Sequence, residues 1–306
     1  MSVLGNPRVA AAVARGMQVM VAASARIVTR RRETVFPEFP GDTARITIPT
    51  PVAPAPAVVY RPAGGPPNPP VHVNFHGGGF VLRGVWLDDP LCRYLAARAG
   101  VVVVNMDYVV APRYRFPAPV HQAFEAVRWI ARHGAEHGWD GTRLTVGGQS
   151  AGGSLAAAAA RLALAAGEPP ITLQVLHYPP LDLATPPRDK RAAIPRPRLR
   201  PWMGEVFDGA YLPDPGRRTD PLASPAGPAD DADLTGIAPA LVITAEYDRL
   251  RAEAVRYADR LAAVGALAEH HDVPGADHGY DIADTGKALR TYALIARHVE
   301  QAVGRP

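Results

Sequence analysis

A serine hydroxyl can attack an acyl carbon only if something takes its proton. The stretch Gly148-Gln149-Ser150-Ala151-Gly152 presents a serine in a setting suited to that chemistry. Apolar and β-branched residues run into it from Leu144, and an alanine-rich run of helix formers follows it as far as Ala166. The pattern predicts a strand, a very tight turn and a helix. The serine would be lifted at the apex, with glycines two residues to either side where side chains would collide. The helix behind it would aim the positive end of its dipole at the same spot. A chain with 28 glycines can produce this pattern without using it, so the remaining parts of a site have to be found elsewhere.

The base must be a side chain able to accept the proton, held in place by a third group. Of the ten histidines, His72 falls inside an apolar strand pattern, and His121, His133, His137 and His298 fall on or beside helical patterns. His270 and His271 lie in the last β-like run. His278 stands in the loop Gly275-Ala276-Asp277-His278-Gly279, between that run and the final helical stretch, where a base can reach over a strand end towards Ser150. The acid should follow the preceding strand, which ends in Glu246-Tyr247-Asp248, and spacing alone does not separate the two carboxylates. The oxyanion formed by attack needs backbone donors. Gly77-Gly78-Gly79 after an apolar run offers N–H groups that can approach closely, and the N–H of Ala151 is the second donor.

These pieces meet only if strands carry them to one edge. β-like runs are predicted at 44–48, 57–61, 71–75, 101–106, from Leu144 to the serine, at 171–177, 240–245 and 268–273. Helical patterns fall between them, at 90–99, at 120–133 and after Ser150. Such alternation predicts an α/β fold, a mainly parallel sheet with helices on both faces and chemistry at the carboxyl ends of the strands. Pro49, Pro51, Pro54 and Pro56 read as a turn between two antiparallel edge strands. The interval 181–239 breaks the rhythm; it is proline-rich, without a strand pattern, and part of it is read as a cap over the strand ends. Residues 1–32 read as an amphipathic helix ending in Arg30-Arg31-Arg32, either packed on the domain or part of a lid or membrane-touching element.

At this point four motifs in order resemble the hormone-sensitive-lipase family of α/β-hydrolases: HGGGF at 76–80, GQSAGG at 148–153, DRLRAE at 248–253 and HGY at 278–280. Asp107-Tyr108, Ala111-Pro112 and Phe116-Pro117-Ala118 resemble a further stretch of it. The resemblance runs from about residue 60 to the C-terminus. It implies the α/β-hydrolase fold as a single domain over 1–306, with a small helical cap built from about 1–40 and 183–220. It implies Ser150 as nucleophile, His278 as base, Asp248 rather than Glu246 as acid, and the N–H groups of Gly77, Gly78 and Ala151 as oxyanion hole, without cofactor or metal. Gln149, Arg113, Arg249 and Ala252 depart from the family pattern, where an acid or threonine, a glutamate, a proline and an aspartate are usual. The expected activity is hydrolysis of carboxylic esters through an acyl-enzyme. An arylamide deacetylase or amidase would use the same groups. A non-catalytic receptor, as in plant proteins that resemble the family but lack the histidine, is disfavoured because His278 is present.

Composition bounds the rest. The 306 residues are 47% hydrophobic and 20% charged, as in ordinary globular proteins, and 33 basic residues against 29 acidic leave a net charge of +4. The lysines are Lys190 and Lys287, and no basic helix with interleaved aromatics is visible, so nucleic acid is not an expected partner. A single cysteine, Cys92, rules out an internal disulfide and suits a reducing, cytoplasmic setting. No apolar run approaches the roughly 20 residues of a spanning helix, so stable membrane insertion is not expected. A homodimer is left open. In the insertion, Arg188, Lys190, Arg191, Arg196, Arg198 and Arg200 face Asp189 as their one local acid, which reads either as attraction for an anionic substrate or membrane or as solvated loop charge. Its apolar residues, among them Leu199, Trp202, Met203, Val206 and Phe207, suffice to roof a pocket but not to coat an interface. Esters with short to medium acyl chains are therefore expected, without activation at a lipid surface.

Overall fold

In the computed structural model, residues 3–39, 41–64 and 67–304 are described. The outermost residues of the expected cap segment, Met1, Ser2 and Pro40, lie outside them, as do Gly65 and Pro66 of the proline loop and the side chains of Arg26 and Val28. Eight strands form one sheet: β1 (Asp42–Ile48), β2 (Ala55–Arg61), β3 (Pro70–Phe75), β4 (Val102–Met106), β5 (Asp140–Gln149), β6 (Ile171–His177), β7 (Ala240–Ala245) and β8 (Leu267–Val273). Their order across the sheet is β1-β2-β4-β3-β5-β6-β7-β8, antiparallel in the first two pairings and parallel from β4 to β8.

The helices are α1 (Pro7–Glu33), α2 (Asp89–Ala99), α3 (Ala118–Arg132), α4 (Gly134–His137), α5 (Ala151–Ala166), α6 (Pro201–Tyr211), α7 (Arg251–Ala263), α8 (Tyr280–Ala283) and α9 (Thr285–Val303). Both faces of the sheet are covered. One core joins β3 and β4 side chains such as Val71, Val73 and Val104 to α3, α5 and α7, while the other joins Val101, Val103, Leu241 and Ile243 to α2 and α9. Strands buried on both faces favour apolar residues at successive positions, as in β4 and β7 apart from Asn105 and Thr244, while β3 alternates and buries His72 and Asn74 between its valines. Each fully buried valine or leucine contributes about 1.5–3 kcal/mol.

Two expectations need correction. Only β1 is an edge strand at that end, since β2 pairs with β4 on its other side; Ala55, Ala57, Val59 and Tyr60 are buried accordingly, whereas β1 is largely exposed. Pro56 lies within β2, opposite Thr47, and its carbonyl still accepts the Asp107 N–H at 2.9 Å. The strand leading to Ser150 begins at Asp140, not Leu144: Asp140 accepts the Thr142 N–H at 2.9 Å and the register shifts between Pro70 and Val71, so a turn-like sequence opens a strand.

Between β6 and β7 the described residues hold no strand; they carry α6 and a 3₁₀ turn at Pro215–Arg217. Helix α1 packs on α6 so closely that a Cβ on Gly209 would stand 2.9 Å from the Cβ of Ala10. The N-terminal helix and the insertion thus form one layer.

Candidate active site

The turn between β5 and α5 puts Ser150 at φ 53° and ψ −122°, a conformation that a non-glycine residue adopts only where its surroundings enforce it. The enforcement is steric. A side chain on Gly152 would run into the Phe75 carbonyl of β3, and one on Gly148 would meet the same oxygen, so the chain can pass only as glycine. The Ser150 N–H donates to the His177 carbonyl at 2.9 Å, which ties the apex to β6.

His278 enters from the loop after β8. Its Nε2 lies 3.0 Å from Ser150 Oγ and its Nδ1 2.7 Å from Asp248 Oδ2. Asp248 follows β7, is 4% exposed, and its other oxygen accepts the Leu250 N–H at 3.0 Å. Glu246 does not reach the imidazole; it accepts the Gly275 N–H at 2.6 Å and so braces the histidine loop. Asp277 braces it too, taking the backbone N–H groups of His278 at 2.7 Å and of Arg198 at 2.6 Å. Burial by itself lowers the affinity of His278 for a proton. The charge and hydrogen bond of Asp248, with Asp277 and Asp281 further off, outweigh it and leave the group above the ordinary histidine value.

The glycine loop after β3 lies against this turn. The position of a Cβ on Gly77 is 3.3 Å from the Gln149 carbonyl and 3.7 Å from Ser150 Cβ. Gly78 has φ +127°, with the Leu82 carbonyl 2.6 Å from where a Cβ would sit, so again only glycine fits. His76 locks the loop: its Nδ1–H donates to the Gly77 carbonyl at 2.6 Å, its own carbonyl accepts the Tyr108 hydroxyl at 2.9 Å, and the two rings stack at 4.3 Å. Among the described residues none accepts a hydrogen bond from the backbone N–H of Gly77, Gly78 or Ala151. Three donors therefore stand open beside Ser150, the last of them at the N-terminus of α5.

A cavity of about 240 Å³ adjoins the serine, roofed by Leu183, Leu199, Met203 and Phe207 from the insertion and bordered by Leu82 and Ile282. Of the apolar residues singled out in the insertion, Val206 is buried in the core instead, and Trp202 is 44% exposed. The arginine-rich segment is better neutralised than its local sequence shows. Arg188 pairs with Glu205, and Lys190 with Glu253 at 2.8 Å.

Three other histidines make structural contacts. His72 bonds Thr145 Oγ1 at 2.8 Å and burial holds it down to about 3; His270 bonds Thr244 and His298 bonds Glu269. Three site-shaping residues were given no role by sequence reasoning. Tyr178 turns out of β6 at φ 40° and donates to Asp281 at 2.6 Å. Ser154 on α5 donates to the Pro180 carbonyl. Glu253 accepts the Leu181 N–H at 2.8 Å besides pairing with Lys190. Glu253 was in view as the last residue of DRLRAE; nothing local distinguishes the other two.

Known proteins share this fold and much of this sequence. A family model described as the alpha/beta hydrolase fold matches residues 72–282. Carboxylesterase NlhH of Mycobacterium tuberculosis is 35% identical over 255 residues, covering 82% of this chain and 76% of that protein. Esterase LipI of the same species is 35% identical over 253 residues, 81% of this chain and 77% of its own. Among solved structures, an esterase of Pyrobaculum calidifontis superposes with a TM-score of 0.84 at 34% identity, covering 95% of this chain and 94% of that one. EstE1, a thermostable carboxylesterase cloned from a metagenomic library, gives 0.85 at 32% identity over 95% and 98%. Among the described residues no helix is long and apolar enough to cross a membrane. With the fold, the order of the motifs and these relatives in agreement, the chain belongs to the hormone-sensitive-lipase-like family of α/β-hydrolases.

Proposed function

We propose that this chain, a carboxylic ester hydrolase, works through an acyl-enzyme on Ser150. The observation that carries the reading is the hydrogen-bonded series from Asp248 through His278 to Ser150, at 2.7 and 3.0 Å. Ser150 Oγ attacks the ester carbonyl carbon as its proton passes to His278 Nε2. Asp248 fixes the Nδ1–H tautomer and stabilises the imidazolium. The carbonyl oxygen, now anionic, is held by the N–H groups of Gly77, Gly78 and Ala151. His278 returns the proton to the departing alcohol, leaving Ser150 acylated. It then deprotonates a water that attacks the acyl carbon, and collapse of that second intermediate frees the acid and restores the serine.

Residues 1–40 and 183–220 are assigned as the cap, on the packing of α1 against α6 and the contribution of the insertion to the cavity roof. A cavity of this size, roofed by a few apolar side chains, favours short to medium acyl groups. Each added methylene gains about 0.8 kcal/mol until the space is filled. A cytoplasmic setting with no nucleic acid partner completes the proposal; it rests on the lone Cys92 and on scattered arginines. The test is a series of ethyl esters from acetate to dodecanoate, with matched anilides. We expect kcat/KM to rise and then fall with acyl length, esters to exceed anilides, and no jump at the solubility limit. A long-chain optimum with interfacial activation would overturn the assignment of the cap.

A further inference from the structure

We propose that the cavity beside Ser150 takes esters that carry a carboxylate, with Arg249 as the cation that recognises it. This deepens the esterase reading and rests on it. Arg249 follows Asp248 directly, borders the same cavity as Ser150 and is 7% exposed. One end of its guanidinium, Nη2, donates to the Lys190 carbonyl, whereas Nε and Nη1 are buried without a partner. The carboxylates whose charge it feels are engaged elsewhere. Asp248 bonds His278 and the Leu250 N–H, and Glu253 pairs with Lys190 and takes the Leu181 N–H.

A guanidinium cannot shed its charge near neutral pH, and a buried cation with unanswered donors is among the costlier arrangements a fold can carry. Water would answer the donors but not the charge. Nε and Nη1 have no open surface in this structure, so a substrate carboxylate answers both once the side chain turns toward the cavity, its two oxygens matching adjacent N–H groups of the planar fork.

The rest of the wall does not cancel this charge. Arg200 borders the cavity half-buried, with no ion pair among the described residues. Two carboxyls border it as well: burial pushes Asp88 up to about 7 and Asp208 up to about 6, so near neutral pH Asp88 is partly protonated, while Asp208 stays mostly ionised in the offsetting field of Lys190 and Arg218. The charges of the wall that no pH near neutrality removes, those of Arg249 and Arg200, are cationic. The volume of about 240 Å³ leaves room for a short spacer between ester and carboxylate.

The carboxylate can belong to the acyl group or to the alcohol, and two pairs of esters separate these. Monoethyl glutarate is compared with its neutral carboxamide, ethyl glutaramate, and 4-carboxyphenyl butyrate with 4-carbamoylphenyl butyrate. The readout is the ratio of kcat/KM for the anion to that for the amide, in which general damage to the enzyme cancels. In one pair we expect a ratio above one that falls at least about fivefold in Arg249→Gln and is partly restored in Arg249→Lys. A smaller fall in both pairs overturns the proposal. If Arg249→Gln does not fold, the unaltered protein decides: a ratio above one in either pair supports the proposal and a ratio below one in both overturns it. Hydrolysis of the amides with an unresponsive ratio removes only the carboxylate assignment. Failure to hydrolyse any of the esters removes the esterase reading itself.

Discussion

The turn at Ser150 and the cap-side wall of the same cavity are held by different constraints. At the turn the constraint is local and steric: Gly148 and Gly152 pass the Phe75 carbonyl where no side chain fits, and Ser150 is left with a positive φ. Across the cavity it is long-range and electrostatic. Lys190 answers Glu253 from α7, Arg188 answers Glu205 from α6, and the Arg198 N–H is tied to Asp277 beside the proposed base. The first constraint fixes the position of the proposed nucleophile. The second decides what shape and charge can be brought there, and it can change without disturbing the first.

Four predictions probe that division. The largest effect should come from Asp248→Asn, which removes the carboxylate that fixes the imidazole; kcat should fall by about 10⁴-fold. Glu246→Gln loses only part of a brace to Gly275 and should cost less than about tenfold. Steady-state kinetics on one neutral ester ranks the two, and the reverse order would contradict the geometry.

On the cap side, Lys190→Met leaves Glu253 buried without its cation, at a cost of about 3–5 kcal/mol in urea unfolding. Adding Glu253→Gln should recover most of that loss. A single variant as stable as the parent would mean that the wall is not held by this pair.

The third effect is on pH dependence. Since His278 sits above 6.5 and must be neutral to accept the serine proton, kcat/KM should be lost as pH falls through a value above 6.5. In the residual activity of Asp248→Asn burial dominates, and that limb should move to lower pH. An unchanged limb would separate it from His278.

Smallest of all, Arg188→Ala should change stability by less than about 1 kcal/mol, because its side chain is 62% exposed although Glu205 is not. A loss as large as that for Lys190 would erase the contrast between exposed and buried pairs.

The same division explains what was legible in the sequence. Ser150, Gly77 and Gly78 stood in runs of consecutive residues whose glycines encode the turn directly, and the parallel sheet showed in strongly apolar strands such as β4, where Asn105 is the one polar residue. Separating Glu246 from Asp248 needed the family resemblance, because both follow β7 within three residues and only the three-dimensional path of the chain shows which one the imidazole meets. The inner position of β2 was missed because prolines usually mark edges, and here Pro56 still offers its carbonyl to Asp107. Neutralisation of Arg188 and Lys190 could not be read at all. Their acids lie on α6 and α7, and no local pattern links a loop residue to a helix it meets only after folding.

The central claim is that Ser150 is the nucleophile, and covalent capture tests it most directly. The protein would be treated with an organophosphorus ester, activity followed against incorporation, and the modified residue located by peptide mass spectrometry. The account predicts one phosphoryl group per chain on Ser150, activity lost in proportion, and neither labelling nor hydrolysis in Ser150→Ala. Label on Ser154 or Ser224, or ester hydrolysis persisting with Ser150 fully modified, would contradict it.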